Sequence, residues 1–292
     1  MPDGKMRLIG IMLTRNEDWV IRASLDAALR WCDGMVVLMD RCTDDSPKTA
    51  HDMLKVRGKP AVLKRIDTAK VWDEMEMRQQ TLVAARDMGG THFAIIDSDE
   101  VLTHNFLPII RAWFEGLKPG QLLDVPMVPV WEDLDHYRVE CPTWSKAWLT
   151  LGFRDVPELT WKPAGDGYQH HNRPPHGCIG ERLRMSGHGY GGVMHLQFAN
   201  TRRLLAKHVL YRMVDHLRWP ERKSPEQLNW MYDQALKPGG RLEQVPAEWW
   251  GDYFKKFIYL DDVPYQELEI MRLIREHGME KFMGLDLKGW TA

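Results

Sequence analysis

Three short apolar runs and one mixed run, residues 61–66, read as strands in the first hundred residues, and each ends in polar or acidic groups. Leu8-Ile9-Gly10-Ile11-Met12-Leu13 ends at Thr14-Arg15-Asn16-Glu17, and Met35-Val36-Val37-Leu38-Met39 ends at Asp40. A third run over residues 61–66 ends at Asp67, and Phe93-Ala94-Ile95-Ile96 ends at Asp97-Ser98-Asp99-Glu100. Continuous apolar runs of this length suit strands covered on both faces. Helix-period segments between them predict βαβ units, hence a doubly wound, mostly parallel α/β sheet. Ligands in such sheets bind at the carboxyl ends of the strands, so these polar endings are expected to share one crevice.

Asn16 reads as the N-cap of a helix over residues 16–31, with Ile21, Leu25, Ala28 and Leu29 as its apolar stripe. Further helices are expected over residues 73–88, closed by Gly89-Gly90, and over 108–117. Residues 122–130 read as a strand whose prolines assign it to a sheet edge. Residues 131–200, rich in Trp, His, Gly and Pro, predict loops and short strands. The remainder predicts helices over 201–219, 224–236, 247–259 and 265–277. The expected organisation is a catalytic core over 1–200 with a helical C-terminal appendage, 201–292, packed on it.

Composition narrows the function. The chain of 292 residues is 44% hydrophobic and 27% charged, ordinary for a soluble domain. Its 39 Lys and Arg against 41 Asp and Glu give a formal net charge of −2, which does not indicate nucleic acid as a partner. Cys32, Cys42, Cys141 and Cys178 have no zinc or disulfide spacing and fit a reducing compartment. With no apolar run of membrane length and no signal-peptide pattern at the N-terminus, a cytoplasmic protein without a membrane span is expected.

Asp97 and Asp99 carry the sharpest chemistry. In extended backbone, residues two apart face the same side, so two carboxylates would point into one space. Their repulsion is relieved by a proton or a cation. A hard divalent ion held by one or two carboxylates plus substrate phosphates is the usual arrangement. Such an ion stabilises a departing diphosphate. Arg78 lies on the same helical face as Leu82 and Ala85, which should pack on the sheet. A buried arginine requires an anion: a ligand diphosphate, or an internal partner such as Asp67 or Asp97.

These residues resemble the GT-A (Rossmann-like) glycosyltransferases of family 2. Leu13-Thr14-Arg15-Asn16-Glu17 resembles the family's first-strand motif, and Val36-Val37-Leu38-Met39-Asp40 with Thr43-Asp44-Asp45-Ser46 resembles its second. Arg78 falls where the family has a donor-binding arginine, followed here by Gln79 in place of the usual Asn. Ile95-Ile96-Asp97-Ser98-Asp99-Glu100 resembles its Asp-x-Asp metal motif, with an acidic extension common in one bacterial subgroup. The resemblance spans residues 8–102 and implies a nucleoside-diphosphate sugar donor, often UDP-linked, a divalent cofactor (Mn²⁺ or Mg²⁺) and inversion at the anomeric carbon. It implies that Thr14, Arg15, Asn16, Glu17 and Asp67 line the donor and that Asp40 meets its base. Arg78 and Ser98 join the donor site, Asp97 meets ribose or metal, and Asp99 binds metal.

The second half matches less of the family pattern. Phe153-Arg154 resembles one subgroup element, and Gly167-Tyr168-Gln169-His170-His171 occupies the place of a His-Glu pair, with His171 where Glu is expected. Val193-Met194-His195-Leu196, then Lys207 and Tyr211, resembles a third element. His195 is therefore expected in the metal shell or on the diphosphate. An inverting transfer needs a base for the acceptor hydroxyl. Asp166 and His171 rank first and Glu181 next, with His170, Asp155 and Glu158 as further candidates. Aromatic faces among the 13 Trp residues suit sugar or base rings.

Alternatives stay open. A nucleotidyltransferase on a related scaffold would open with a Gly-rich loop, which residues 8–17 lack. A non-catalytic sugar-nucleotide or glycan-binding module would not need the paired acids. The histidines between 170 and 195 also permit a metal-dependent hydrolase, without a zinc spacing. The acceptor is open among glycan, protein, metabolite and modified nucleobase.

Overall fold

The computed structural model describes residues 5–66, 73–140, 144–162, 173–237 and 240–290. The strands are β1 (Leu8–Thr14), β2 (Gly34–Asp40), β3 (Ala61–Ile66), β4 (His92–Ile95), β5 (Glu100–Leu102), β6 (Leu122–Pro129), β7 (His136–Val139), β8 (Trp148–Arg154), β9 (Leu183–Arg184), β10 (Val193–His195) and β11 (Arg241–Gln244). The helices are α1 (Ile21–Trp31), α2 (Ser46–Arg57), α3 (Glu74–Asp87), α4 (Leu107–Glu115), α5 (Thr201–Arg218), α6 (Pro225–Asp233), α7 (Ala247–Trp250) and α8 (Tyr265–His277).

The chain clusters into two compact units that do not follow a single boundary at residue 200. One comprises Met1–Val128, Ala147–His195 and Val245–Tyr259; the other comprises Pro129–Lys146, Leu196–Gln244 and Leu260–Ala292.

The first unit is built on a sheet with the order β3-β2-β1-β4-β8-β6-β10-β5, and β9 pairs β6. β3, β2, β1 and β4 are mutually parallel, as the βαβ reading requires. This is the α/β, Rossmann-like architecture expected of a GT-A core. β1 and β2 are buried over their whole length. β3 is the edge, and Lys64 and Arg65 keep it soluble. Side chains alternate between two cores. Leu8 and Met12 of β1 join Leu25 and Leu29 of α1 and Phe114 of α4 on one face. Ile9 and Ile11 join Met75, Leu82 and Ala85 of α3 on the other.

Four expectations are corrected. α1 starts at Ile21, not at Asn16: Asn16 has a left-handed backbone (φ 55°), and its side chain serves the neighbouring loop. β6 is not an edge strand. It lies between β8 and β10, buried throughout, with its ladder broken by a register shift at Leu123/Asp124. The region read as loops and short strands also holds β8, an interior strand antiparallel to both neighbours. Gly152 permits that pairing, because a Cβ there would sit 2.2 Å from the Phe93 carbonyl oxygen. The helix expected over 247–259 is only the four residues of α7. Gly251 stops it at φ 52°, against the His104 ring.

The second unit has its own core. Ala206, Val209 and Met213 of α5 pack with Leu228 of α6, Ile270 and Ile274 of α8, and Phe282. β7 and β11 form a separate antiparallel pair. Arg212 is fully buried and held by the Asp233 carboxylate and the Asp286 carbonyl. No helix among the described residues is long and apolar enough to cross a membrane.

Candidate active site

The parallel order β2-β1-β4 sets Asp40, Thr14 and the turn after Ile95 side by side at one end of the sheet. The Ile96 N–H donates to the Ile11 carbonyl and the Ser98 hydroxyl to the Leu13 carbonyl (3.4 Å), so the acidic turn leans on the end of β1. Ser98 is buried against that strand.

The ends of β1 and β2 are tied together. Asn16 Oδ1 accepts the Thr43 N–H at 2.7 Å and the Asp44 N–H at 3.4 Å, and the Glu17 N–H donates to Ser46 Oγ at 2.8 Å. Asn16 and Arg41 both have left-handed backbone, φ 55° and 45°. Such conformations cost a non-glycine residue about 1–3 kcal/mol and cluster at functional sites. Asp40 is wholly buried. Arg41 chelates its carboxylate (2.6 to 3.1 Å), and Arg15 lies 3.9 Å away. Thr14 Oγ1 is buried with no hydrogen-bond partner among the described residues, a polar atom left for a ligand or water.

Asp97 and Asp99 are not two positions of an extended strand, as expected, but two corners of a turn. β4 ends at Ile95, the Glu100 N–H donates to the Asp97 carbonyl (3.0 Å), and the Asp97 N–H donates to Glu100 Oε2 (2.9 Å). Both Asp97 oxygens meet a guanidinium: Oδ1 that of Arg78 at 3.2 Å and Oδ2 that of Arg173 at 2.9 Å. Burial pushes the Asp97 carboxyl up, but Arg173 and Arg78 outweigh it and hold the group below the usual carboxylate range. Burial pushes Glu100 up in spite of Arg173. Arg78 is 4% exposed and also bonds Glu74 at 2.7 Å. Burial opposes its charge, yet Glu74 and Asp97 prevail and raise its pKa. The internal-pair reading of Arg78 therefore holds through Asp97.

Asp99 faces elsewhere. β10 runs antiparallel to β5 with His195 opposite Glu100, which brings His195 Nε2 to 3.5 Å from Asp99 Oδ1. A carboxylate and an imidazole are suitable donors for a divalent ion whose remaining positions are filled by phosphate oxygens and water. Among the described residues no group of three or more His, Cys, Asp or Glu could hold a metal by itself.

Arg173 is the residue that sequence reasoning missed. Its five guanidinium N–H groups reach the Thr150 and Ile95 carbonyls, both Glu100 oxygens and Asp97. A signal existed in Gln79, the departure from the family's Asn. Its Oε1 accepts from the Thr160 hydroxyl and the Trp161 N–H, both at 2.9 Å, and Trp161 Nε1 donates to the Arg173 carbonyl.

Other expected residues lie elsewhere. Glu181 is exposed beside Gln121, which precedes β6, at the opposite end of the sheet from Asp97. Asp155 is held by Arg86 at that same end, its N–H bonded to the Thr91 carbonyl. Trp161 is fully buried and Trp148 is covered by Arg184 and His188, so neither presents a free ring face of the kind anticipated. Asp67, Asp166, His170 and His171 lie outside the described residues.

No family model and no curated protein matches the chain. Solved structures do. S. aureus TarS 1-349 in complex with UDP is 15% identical, with a TM-score of 0.38, over 51% of this chain and 47% of that one. A second S. aureus TarS structure is 12% identical, with a TM-score of 0.43, over 95% of this chain and 51% of that one. The chain thus spans about half the length of the TarS chains it matches. Glucosyl-3-phosphoglycerate synthase from Mycobacterium tuberculosis, in complex with Mn²⁺, UDP and glucosyl-3-phosphoglycerate, is 19% identical, with a TM-score of 0.30, over 42% of this chain and 44% of that one.

Proposed function

We propose that this chain is a GT-A glycosyltransferase that takes a sugar from a nucleoside-diphosphate donor, UDP-linked by preference, and passes it with inversion to an acceptor hydroxyl. The observation that carries the reading is the row of strand ends: Thr14, Asp40 and the Asp97–Asp99 turn lie side by side, with His195 brought to Asp99 by β10. Open α/β sheets bind nucleotides at this end. In this reading residues 14–17, Asp40 and Asp67 line the nucleoside. The acidic turn and His195 hold Mn²⁺ or Mg²⁺ together with the donor's phosphates. A divalent ion, when bound, stabilises the charge that develops on the departing diphosphate.

The chain's own residues bind, orient and exclude. Asn16 and Arg41 fix the loops flanking the nucleoside, and Arg78 holds Asp97 in a fixed rotamer. The base that takes the acceptor proton is proposed to be Asp166 or His171. Separate Asp166→Asn and His171→Gln variants test this: the true base loses about 10²-fold or more in transfer while donor binding persists.

A thermal-shift panel of nucleotide sugars, with and without Mn²⁺, tests the whole proposal. A donor at a hundredfold its Kd should stabilise by about 2.7 kcal/mol. No stabilisation by any nucleotide or nucleotide sugar, with the apo protein folded, would overturn it.

A further inference from the structure

We infer that Arg184 and Tyr190 form a binding site for a sugar or polyol that carries a phosphate or a carboxylate. In the proposed reaction that ligand is the acceptor, and this last assignment alone rests on the proposed function.

β8 brings the site to the same end of the sheet as the acidic turn. It runs antiparallel to β4 and β6, so Trp148 at its start and Pro126 of β6 lie at the end where β4 runs on to Asp97. Trp148 stands two residues before Thr150, about 7 Å along a strand. The Thr150 carbonyl accepts from Arg173 Nε at 2.7 Å, and Arg173 Nη1 holds Asp97 at 2.9 Å. β1 and β2 lie across β4 from β8. A ligand beside Trp148 therefore approaches from the side away from Thr14 and Asp40.

Two neighbouring arginines differ in what holds them. Arg182 is taken by the buried Asp124 carboxylate. Arg184, two residues on, is exposed, and among the described residues no carboxylate lies within ion-pair distance of it. Its guanidinium lies over the Trp148 ring, 4.8 Å from the centroid, and His188 meets the same ring edge-on at 5.0 Å. A cation–π stack engages the face of a guanidinium and none of its N–H groups. The planar fork can then grip a phosphate or carboxylate through two N–H donors.

Tyr190 supplies the ring face that the covered Trp148 does not, being 71% exposed. It is held through its backbone: its N–H donates to the Gly187 carbonyl at 3.4 Å, and its carbonyl accepts from Asn105 Nδ2 at 2.9 Å. His188 Nε2, 3.2 Å from the Ala147 carbonyl, closes the loop onto the start of β8. At its far end the Gly192 N–H donates to Thr103 Oγ1 at 3.1 Å, and a Cβ at Gly192 would sit 2.0 Å from the Pro126 carbonyl oxygen. An aromatic ring on a fixed backbone offers an apolar face to the C–H groups of a sugar and a hydroxyl to its oxygens.

The test titrates the full chain with glucose 6-phosphate, glucuronate, glucose and inorganic phosphate by ligand-observed NMR, with UDP titrated in parallel. The two anionic sugars distinguish a phosphate from a carboxylate. The better of them should bind at least tenfold more tightly than glucose and threefold more tightly than inorganic phosphate. Arg184→Gln should lower that affinity at least tenfold and Tyr190→Ala at least threefold, each with UDP binding within twofold of the parent. Arg184→Lys keeps the charge without the fork and should recover only part. An Arg184→Gln variant that binds as the parent does overturns the inference. So does a parent that binds UDP but neither anionic sugar, or that binds glucose as well as it binds them. Inorganic phosphate bound as tightly as the sugars overturns the reading of Tyr190. A parent that binds an anionic sugar through Arg184 but no nucleotide supports the site and overturns its role as an acceptor site, because the proposed function has then failed.

Discussion

Gln79 and Trp161 are joined through one oxygen: Gln79 Oε1 accepts the Trp161 backbone N–H at 2.9 Å, on a residue with no exposed surface. The same oxygen takes the Thr160 hydroxyl, so one amide on α3 fixes the strand-like stretch that leads toward Arg173. Asn, one methylene shorter, would have to draw that stretch toward α3.

Gln79→Ala should therefore cost more than an exposed polar truncation. It leaves the Trp161 N–H buried without its acceptor, a loss of about 1–3 kcal/mol. Urea unfolding of the variant would measure this. Gln79→Asn should fall between the parent and Ala.

Asp99→Asn keeps the shape of the side chain and removes its charge. Divalent-ion-dependent donor turnover should fall by about 10²-fold or more, with the far-ultraviolet circular dichroism unchanged. Turnover that persists in EDTA, or a variant as active as the parent, would remove Asp99 from the cation site.

Arg78→Met should be costly for a different reason. Glu74 and Asp97 would each lose a buried cationic partner, and breaking such a pair costs about 3–5 kcal/mol in fully buried cases. Asp97 keeps Arg173 and is one-third exposed, so about 2 kcal/mol is expected. Arg78→Lys should recover only part of it. Unfolding curves of the two variants, set against Asp97→Asn, separate the Asp97 share from the Glu74 share.

His92 predicts a pH dependence. Burial first, then Arg154, lower its pKa from 6.5 to about 4. The unfolded chain takes up the proton first as pH falls. The stability from the neutral imidazole is therefore complete above about 6.5 and is lost progressively toward 4. Between pH 7 and 5.5 the loss should be about 1 kcal/mol. His92→Gln should show a shallower decline over that window, and identical slopes would dismiss the residue as its source.

How far the sequence reached depends on the distance over which each interaction acts. β1, β2 and β4 were legible because an uninterrupted run of four to six apolar residues reports its own burial on both faces, and β3, the half-exposed edge, was legible from its place between two helix-period segments. β6 was misplaced because its prolines were read locally, while its burial comes from β8 and β10, whose residues are remote in the chain. Asn16 carried the right polarity for a cap, but a left-handed backbone directed it to Thr43, 27 residues away. Thr14, Asp40 and Asp97 could be grouped in advance because parallel strands align their carboxyl ends. Arg173 could not: its acidic partners lie 73 and 76 residues earlier, and no periodicity marks an arginine that folds back over such a span.

The segment Val245–Tyr259 belongs to the first unit although it comes late in the chain. There Asp252 meets Arg30 of α1 and His104, and the Tyr259 N–H donates to the Trp19 carbonyl. No single cut can therefore separate a catalytic fragment from this protein. A fragment ending at residue 200 would lack the piece that covers α1, and exposed Trp19, Arg30 and His104 would face water in its place. Any minimal version has to carry that late segment as well, rejoined by a linker or supplied as a second peptide.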